Sequence, residues 1–137
     1  MANALDLLLG GKVNAERPTK EVKLNRLSSD EVDFILTATA ITMNDFKHVQ
    51  EMNRKGGKDL DEIGMNLMII CYGVQEFDAR RAENKATIKE LLKMHGVADM
   101  QALANKLLLP GEIAMLAATI IEVSGFGEDM IEAVKKA

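Results

Sequence analysis

Two stretches of this chain are apolar almost throughout, and shorter segments of mixed polarity surround them. They are Ile63–Val74 (IGMNLMIICYGV) and Leu107–Phe126 (LLLPGEIAMLAATIIEVSGF). At about 100° of rotation per residue, Glu112, Thr119 and Glu122 fall on one narrow stripe of the second stretch. Ile113, Met115, Leu116, Ile120, Ile121 and Val123 cover most of the remaining circumference. A helix that is apolar over so much of its surface has to be enclosed by other elements, so both stretches are expected at the centre of the fold. The ends of the second are signalled as well. Pro110 suits a first helical turn, and Glu112 suits the positive end of the helix dipole. Gly125 can adopt the left-handed conformation that stops a helix, letting Phe126 fold back onto Ile120 or Ile121 as in a Schellman motif.

The remaining segments read as amphipathic. Thr42 can cap a helix with Asp45 at its third position and Phe46, Val49 and Met52 on its apolar stripe. Asp59 and Glu62 mark the start of the first apolar helix, where Gly64 and Gly73 lower helix propensity and so imply close packing. Thr87 and Glu90 form a capping box before Ile88, Leu91 and Leu92, and Asp99 caps a helix carrying Met100, Leu103, Leu107 and Leu108. Ahead of these, Val22–Leu27 alternates and Phe34–Ile41 (FILTATAI) is β-branched, which predicts a hairpin over 21–41. The competing reading is a helix over 29–40 opened by Ser28 and Glu31. The expectation is a mainly α, compact multi-helix domain over 21–137 with an N-terminal β-hairpin. Its helices are placed at about 43–55, 60–80, 88–95, 100–108, 111–124 and 128–136. A flexible N-terminal arm over 1–20 precedes it, holding a short helix over 2–9 that Gly10-Gly11 stops.

Composition narrows the function classes. The 137 residues are 47% hydrophobic, enough for one domain with a real core, and with four Phe, one Tyr and no Trp that core must be aliphatic. A net charge of −4 leaves no footprint for nucleic acid. The single Cys71 sits in an apolar run, so it reads as a buried, inert thiol in a reducing compartment. No run approaches the roughly 20 apolar residues that span a bilayer. No leader is evident, and a cytoplasmic protein is expected. Nine methionines are the other unusual feature, since Met serves both irregular cores and adaptable binding surfaces.

Candidate chemistry is sparse. His48 and His95 lie on different predicted helices without metal-ligand spacing, and no serine lies in a nucleophile elbow. The glycines match neither a Walker loop nor a dinucleotide fingerprint. No catalytic, cofactor-binding or metal residue is assigned. The candidate partner-binding residues are the leucines of the arm (Leu5, Leu8, Leu9) and the methionines of several helices (Met43, Met52, Met94, Met100, Met130), which could line an adaptable groove.

Two motifs carry a family resemblance. Leu107–Glu112 (LLLPGE) and Ser124-Gly125-Phe126 stand at the separation found in the XkdN-like phage tail assembly chaperones, and Pro18–Ser28 (PTKEVKLNRLS) is similar to that family's start. The chain therefore resembles that family over most of its length, with the sharpest match over about twenty residues. Membership would imply a small, mainly helical, non-enzymatic protein of a phage or prophage of a Gram-positive host. It would bind the tape measure protein in the host cytoplasm, with the tail tube protein as a second candidate partner, and be absent from the finished virion. Self-association is compatible with this. The alternatives are a minor tail component retained in the virion and, further off, a small cytoplasmic enzyme or a DNA-binding regulator.

Overall fold

The hairpin, in preference to the competing helix, is what the β-branched segment forms. In the computed structural model, which describes residues 3–11, 16–55 and 59–126, strand β1 (Thr19–Lys23) pairs antiparallel with β2 (Ile35–Thr39), with Thr19 opposite Thr39 and Lys23 opposite Ile35. Ser28 fastens the connection between them. Its hydroxyl oxygen accepts the Phe34 N–H (2.8 Å) and its O–H donates to the Leu24 carbonyl (3.0 Å). The outer edge of β2 is closed by residues just beyond the first apolar helix. Ala38 bridges to Val74, and Glu76 accepts both the N–H and the hydroxyl of Thr37 (2.7 and 2.9 Å). Gln75 donates to the Thr39 hydroxyl (2.8 Å). A two-stranded hairpin is marginal in water, and these contacts give it the support it needs.

Six α-helices follow this logic among the described residues: α1 (Ala4–Leu9), α2 (Met43–Met52), α3 (Glu62–Gly73), α4 (Lys85–His95), α5 (Met100–Leu107) and α6 (Pro110–Val123). The expected caps are present for α2 and α5. Thr42 Oγ1 accepts the Asp45 N–H (3.1 Å), and Asp99 Oδ1 accepts the Ala102 N–H (2.8 Å). The α6 terminus is the predicted Schellman motif. Gly125 has φ +91°, its N–H donates to the Glu122 carbonyl (3.0 Å), and the Phe126 N–H donates to the Ile121 carbonyl (3.3 Å).

The core lies between the two apolar helices. Ile69 and Ile70 of α3 and Leu116, Ile120 and Ile121 of α6 are wholly buried, joined by Leu103, Val49 and Val74. The two helices pack closely at Gly73. A Cβ there would lie 2.5, 2.7 and 2.8 Å from Cγ2, Cδ1 and Cγ1 of Ile120, so only glycine fits without movement.

Several boundaries differ from expectation. The helix placed at 60–80 ends at Gly73, because Val74 leaves it to bridge β2; Gln75–Phe77 forms a 3-10 turn, and Arg80 and Arg81 lie in the following turn rather than in a helical extension. Its cap is Asp61, whose carboxylate accepts the Gly64 N–H (3.0 Å), and not Asp59. The helix placed at 43–55 stops at Met52, after which Arg54–Lys55 (β3) pairs with Asp59–Leu60 (β4). The helix expected from 88 begins at Lys85, so Thr87 lies inside it and opens nothing; it follows a 3-10 turn at Ala82–Asn84 that Asn84 ties to the Gln75 and Asp78 carbonyls (2.6 and 3.1 Å). The expected helix over 128–136, and Gly56-Gly57 as a helix stop, lie outside the described residues.

Candidate partner-binding surfaces

The two motifs at the ends of α6 each hold a distant part of the chain. Leu109 is extended, as a residue before proline should be, and the Glu112 carboxylate accepts its N–H (2.8 Å). That carboxylate also takes a two-pronged ion pair from Arg26 (2.6 and 3.1 Å), whose guanidinium donates in addition to the Leu107 carbonyl (2.7 Å). The hydrogen bond from Arg26, then the one from Leu109, holds the Glu112 carboxyl below the usual glutamate range. At the other end, Ser124 Oγ accepts the Ile41 N–H (2.9 Å) and donates to the Ile120 carbonyl (2.6 Å), and the Phe126 ring lies 4.8 Å from that of Phe46. These residues build the fold and leave no reactive group open.

The residues proposed for partner binding do not assemble into one groove. Leu5, Leu8 and Leu9 share one face of α1, at positions i, i+3 and i+4, and all are exposed, Leu9 by 88%. Asn3 and Asp6 cap that helix reciprocally (3.0 and 3.3 Å). Met43 and Met52 are exposed at opposite ends of α2, and their nine-residue spacing puts them about half a turn apart, on opposite sides of the helix. Met94 is exposed near the end of α4. Met100, by contrast, is 5% exposed and belongs to the core, because the first turn of α5 faces inward. Met130 lies outside the described residues.

An apolar recess that periodicity did not single out lies elsewhere. Ile63 and Asn66 of α3, Asn105 of α5 and Pro110, Ile113 and Ala114 of α6 line a cavity of about 250 Å³. Ile63 is 64% exposed at its lip, and the nearby helix entrance carries exposed Leu109. The signal available in the sequence was Ile63 itself, an apolar residue in the first turn of a helix, where solvent contact is usual.

Polar chemistry concentrates at residues 78–81. Arg80 forks between Asp45 (2.9 and 3.4 Å) and Asp78 (3.0 and 3.2 Å), and its guanidinium carbon lies 4.2 Å from the Tyr72 ring centre. These hydrogen bonds, Asp78's first, raise an already high arginine pKa and keep the group charged. Burial raises the Tyr72 phenol above its ordinary value, against the opposing pull of Arg80. Burial likewise pushes the Cys71 thiol up to about 12. Among the described residues no three His, Cys, Asp or Glu side chains are placed to hold a metal ion, and no helix is long and apolar enough to cross a membrane.

Comparison with known proteins places this geometry. The family described as "Phage XkdN-like tail assembly chaperone protein, TAC" matches residues 5–137. Among solved structures, the crystal structure of the protein yqbn is similar, with a TM-score of 0.64 at 20% identity, covering 93% of this chain and 100% of that one. At that identity the likeness concerns the fold alone. No curated protein matches the chain.

Proposed function

Because the chain belongs to the family of XkdN-like phage tail assembly chaperones, we propose that it binds the tape measure protein during tail morphogenesis and holds it without catalysis. The reading places it in the cytoplasm of the bacterial host and outside the finished virion, with the tail tube protein as the second candidate partner. A tape measure protein is expected to be a long helical chain with exposed apolar seams, and an amphipathic helix docks by setting a few apolar anchors into a groove. The observation that favours this is the recess between α3, α5 and α6, with Ile63 standing exposed at its lip. The Leu5, Leu8 and Leu9 face of α1 offers a second apolar contact of the same kind.

Co-expression with the tape measure protein tests the reading. The soluble fraction of that client should rise with this chain and fall again with Ile63→Asp. Burying an isoleucine side chain is worth about 1.5–3 kcal/mol, so the substitution should weaken binding roughly 10- to 100-fold. An acidic residue is well tolerated in a first helical turn, so the variant should fold. A client equally insoluble with and without the chain would sink the proposal. Recovery of the chain in purified virions would reassign it as a retained tail component.

A further inference from the structure

The turn at 78–81 and the start of α2 border a second cavity, of about 480 Å³ and open to solvent, lined by Arg17, Thr42, Asp45, Asp78, Arg80 and Arg81. Three arginines thus face two aspartates in a chain whose net charge is −4. Both aspartates are engaged by Arg80, leaving two guanidiniums with donors to spare. Arg17 donates to the Ala40 carbonyl (3.2 Å) and makes no ion pair with a described residue. Arg81 keeps its Nε enclosed without an acceptor, 3.9 Å from Asp78 Oδ2, while its Nη1 reaches Glu83 at 3.5 Å on the surface. The amino end of α2 opens onto the same space. Thr42 occupies the Asp45 and Phe46 N–H groups, whereas those of Met43 and Asn44 have no partner within the helix.

We propose that this cavity is a carboxylate-binding site, in which Arg17 and Arg81 grip the two oxygens and the first turn of α2 supplies further N–H donors. A carboxylate matches the planar fork of a guanidinium. The same chemistry is available from a Glu or Asp side chain of a protein segment and from a free dicarboxylate. The proposal stands apart from the tape measure reading, since either can fail alone.

The test is an NMR titration of the full chain at constant ionic strength with three probes: sodium succinate, inorganic phosphate, and a capped peptide of alanines carrying two glutamates. The same peptide with glutamines serves as control. Saturable shifts of the Met43 and Asn44 amides and of the Arg17 and Arg81 Nε–H resonances are expected with both carboxylate probes and not with the control. Arg17→Gln and Arg81→Gln should each weaken that response at least about tenfold, with Arg→Lys recovering part of it. Arg17 projects from a segment outside the core, so its variant folds even if that of Arg81 does not. Tighter binding of the peptide assigns the site to protein segments; tighter binding of succinate assigns it to a small ligand. Absence of saturation, a response in both Arg→Gln variants as strong as in the unsubstituted chain, or a preference for phosphate over both carboxylates would overturn the proposal.

Discussion

Gly73→Ala is the sharpest test of how the core is built. The added methyl would sit 2.5–2.8 Å from three carbons of Ile120, where relaxed carbon contacts lie at about 3.5–4.0 Å. About 1 Å must therefore come from movement of α3 against α6 or of the isoleucine. Ile120 has little freedom to give, being β-branched in a helix and wholly buried. Overpacking of this kind costs about 1–3 kcal/mol. Alanine returns up to about 1 kcal/mol of helix propensity, and less at Gly73 because it is the last residue of α3. The expected net loss is about 1–2 kcal/mol. With an urea slope of about 1–3 kcal/mol/M, the midpoint followed by circular dichroism should fall by roughly 0.5–1 M at unchanged slope. Ile120→Ala alone should cost about 2–5 kcal/mol, and in that background the Gly73→Ala methyl has room and becomes harmless or helpful. A midpoint that does not move in the single variant, or that moves equally in both backgrounds, refutes the close approach.

Three further outcomes follow from particular groups. Glu112→Gln should lower the melting temperature by a few degrees at pH 7; because Arg26 depresses the folded carboxyl pKa, that stabilisation is present above the ordinary glutamate pKa of about 4.3 and lost as pH falls through the folded value, so the two proteins should converge in strong acid. Cys71, pushed up to about 12, carries only about one thiolate in ten thousand at pH 8, and iodoacetamide should modify it at least about a thousandfold more slowly in the native chain than in urea; comparable rates would contradict its burial. Tyr72, the one tyrosine, should titrate at 295 nm above its ordinary value of about 10, and Arg80→Gln should raise it further by removing the cation over its ring. A downward shift in that variant would mean that the ring contact is absent.

Local chemistry made much of the fold legible in the sequence. Pro110, Glu112 and Gly125 delimit α6 because caps and left-handed stops depend on neighbours within a turn, and Thr42 and Asp99 announce their helices for the same reason. Gly73 could be read as a point of close packing, though its partner Ile120 could not. What escaped reading was set by pairings far apart in the chain. The end of α3 is decided by the bridge from Val74 to Ala38, and Gly73 beside it reads equally well as a packing glycine inside a longer helix. The Met-bearing helix faces were legible as surface only in part, since Met100 turns inward and Met43 and Met52 point apart. The Arg17–Arg81 cavity joins residues 64 positions apart, and no local spacing could announce it.

The long reach of the α6 contacts has a consequence for how the chain folds during synthesis. The β1–β2 hairpin emerges well before α6, yet Arg26 waits for Glu112 and the Ile41 N–H waits for Ser124, 86 and 83 positions later. Until residues 74–76 close the outer edge of β2 and α6 covers its face, the hairpin has too little to lean on to persist. Its order therefore arrives late, in one step with the docking of α6. A nascent chain cut before Ser124 should leave β2 open to proteolysis, while a chain extended through Phe126 should protect it.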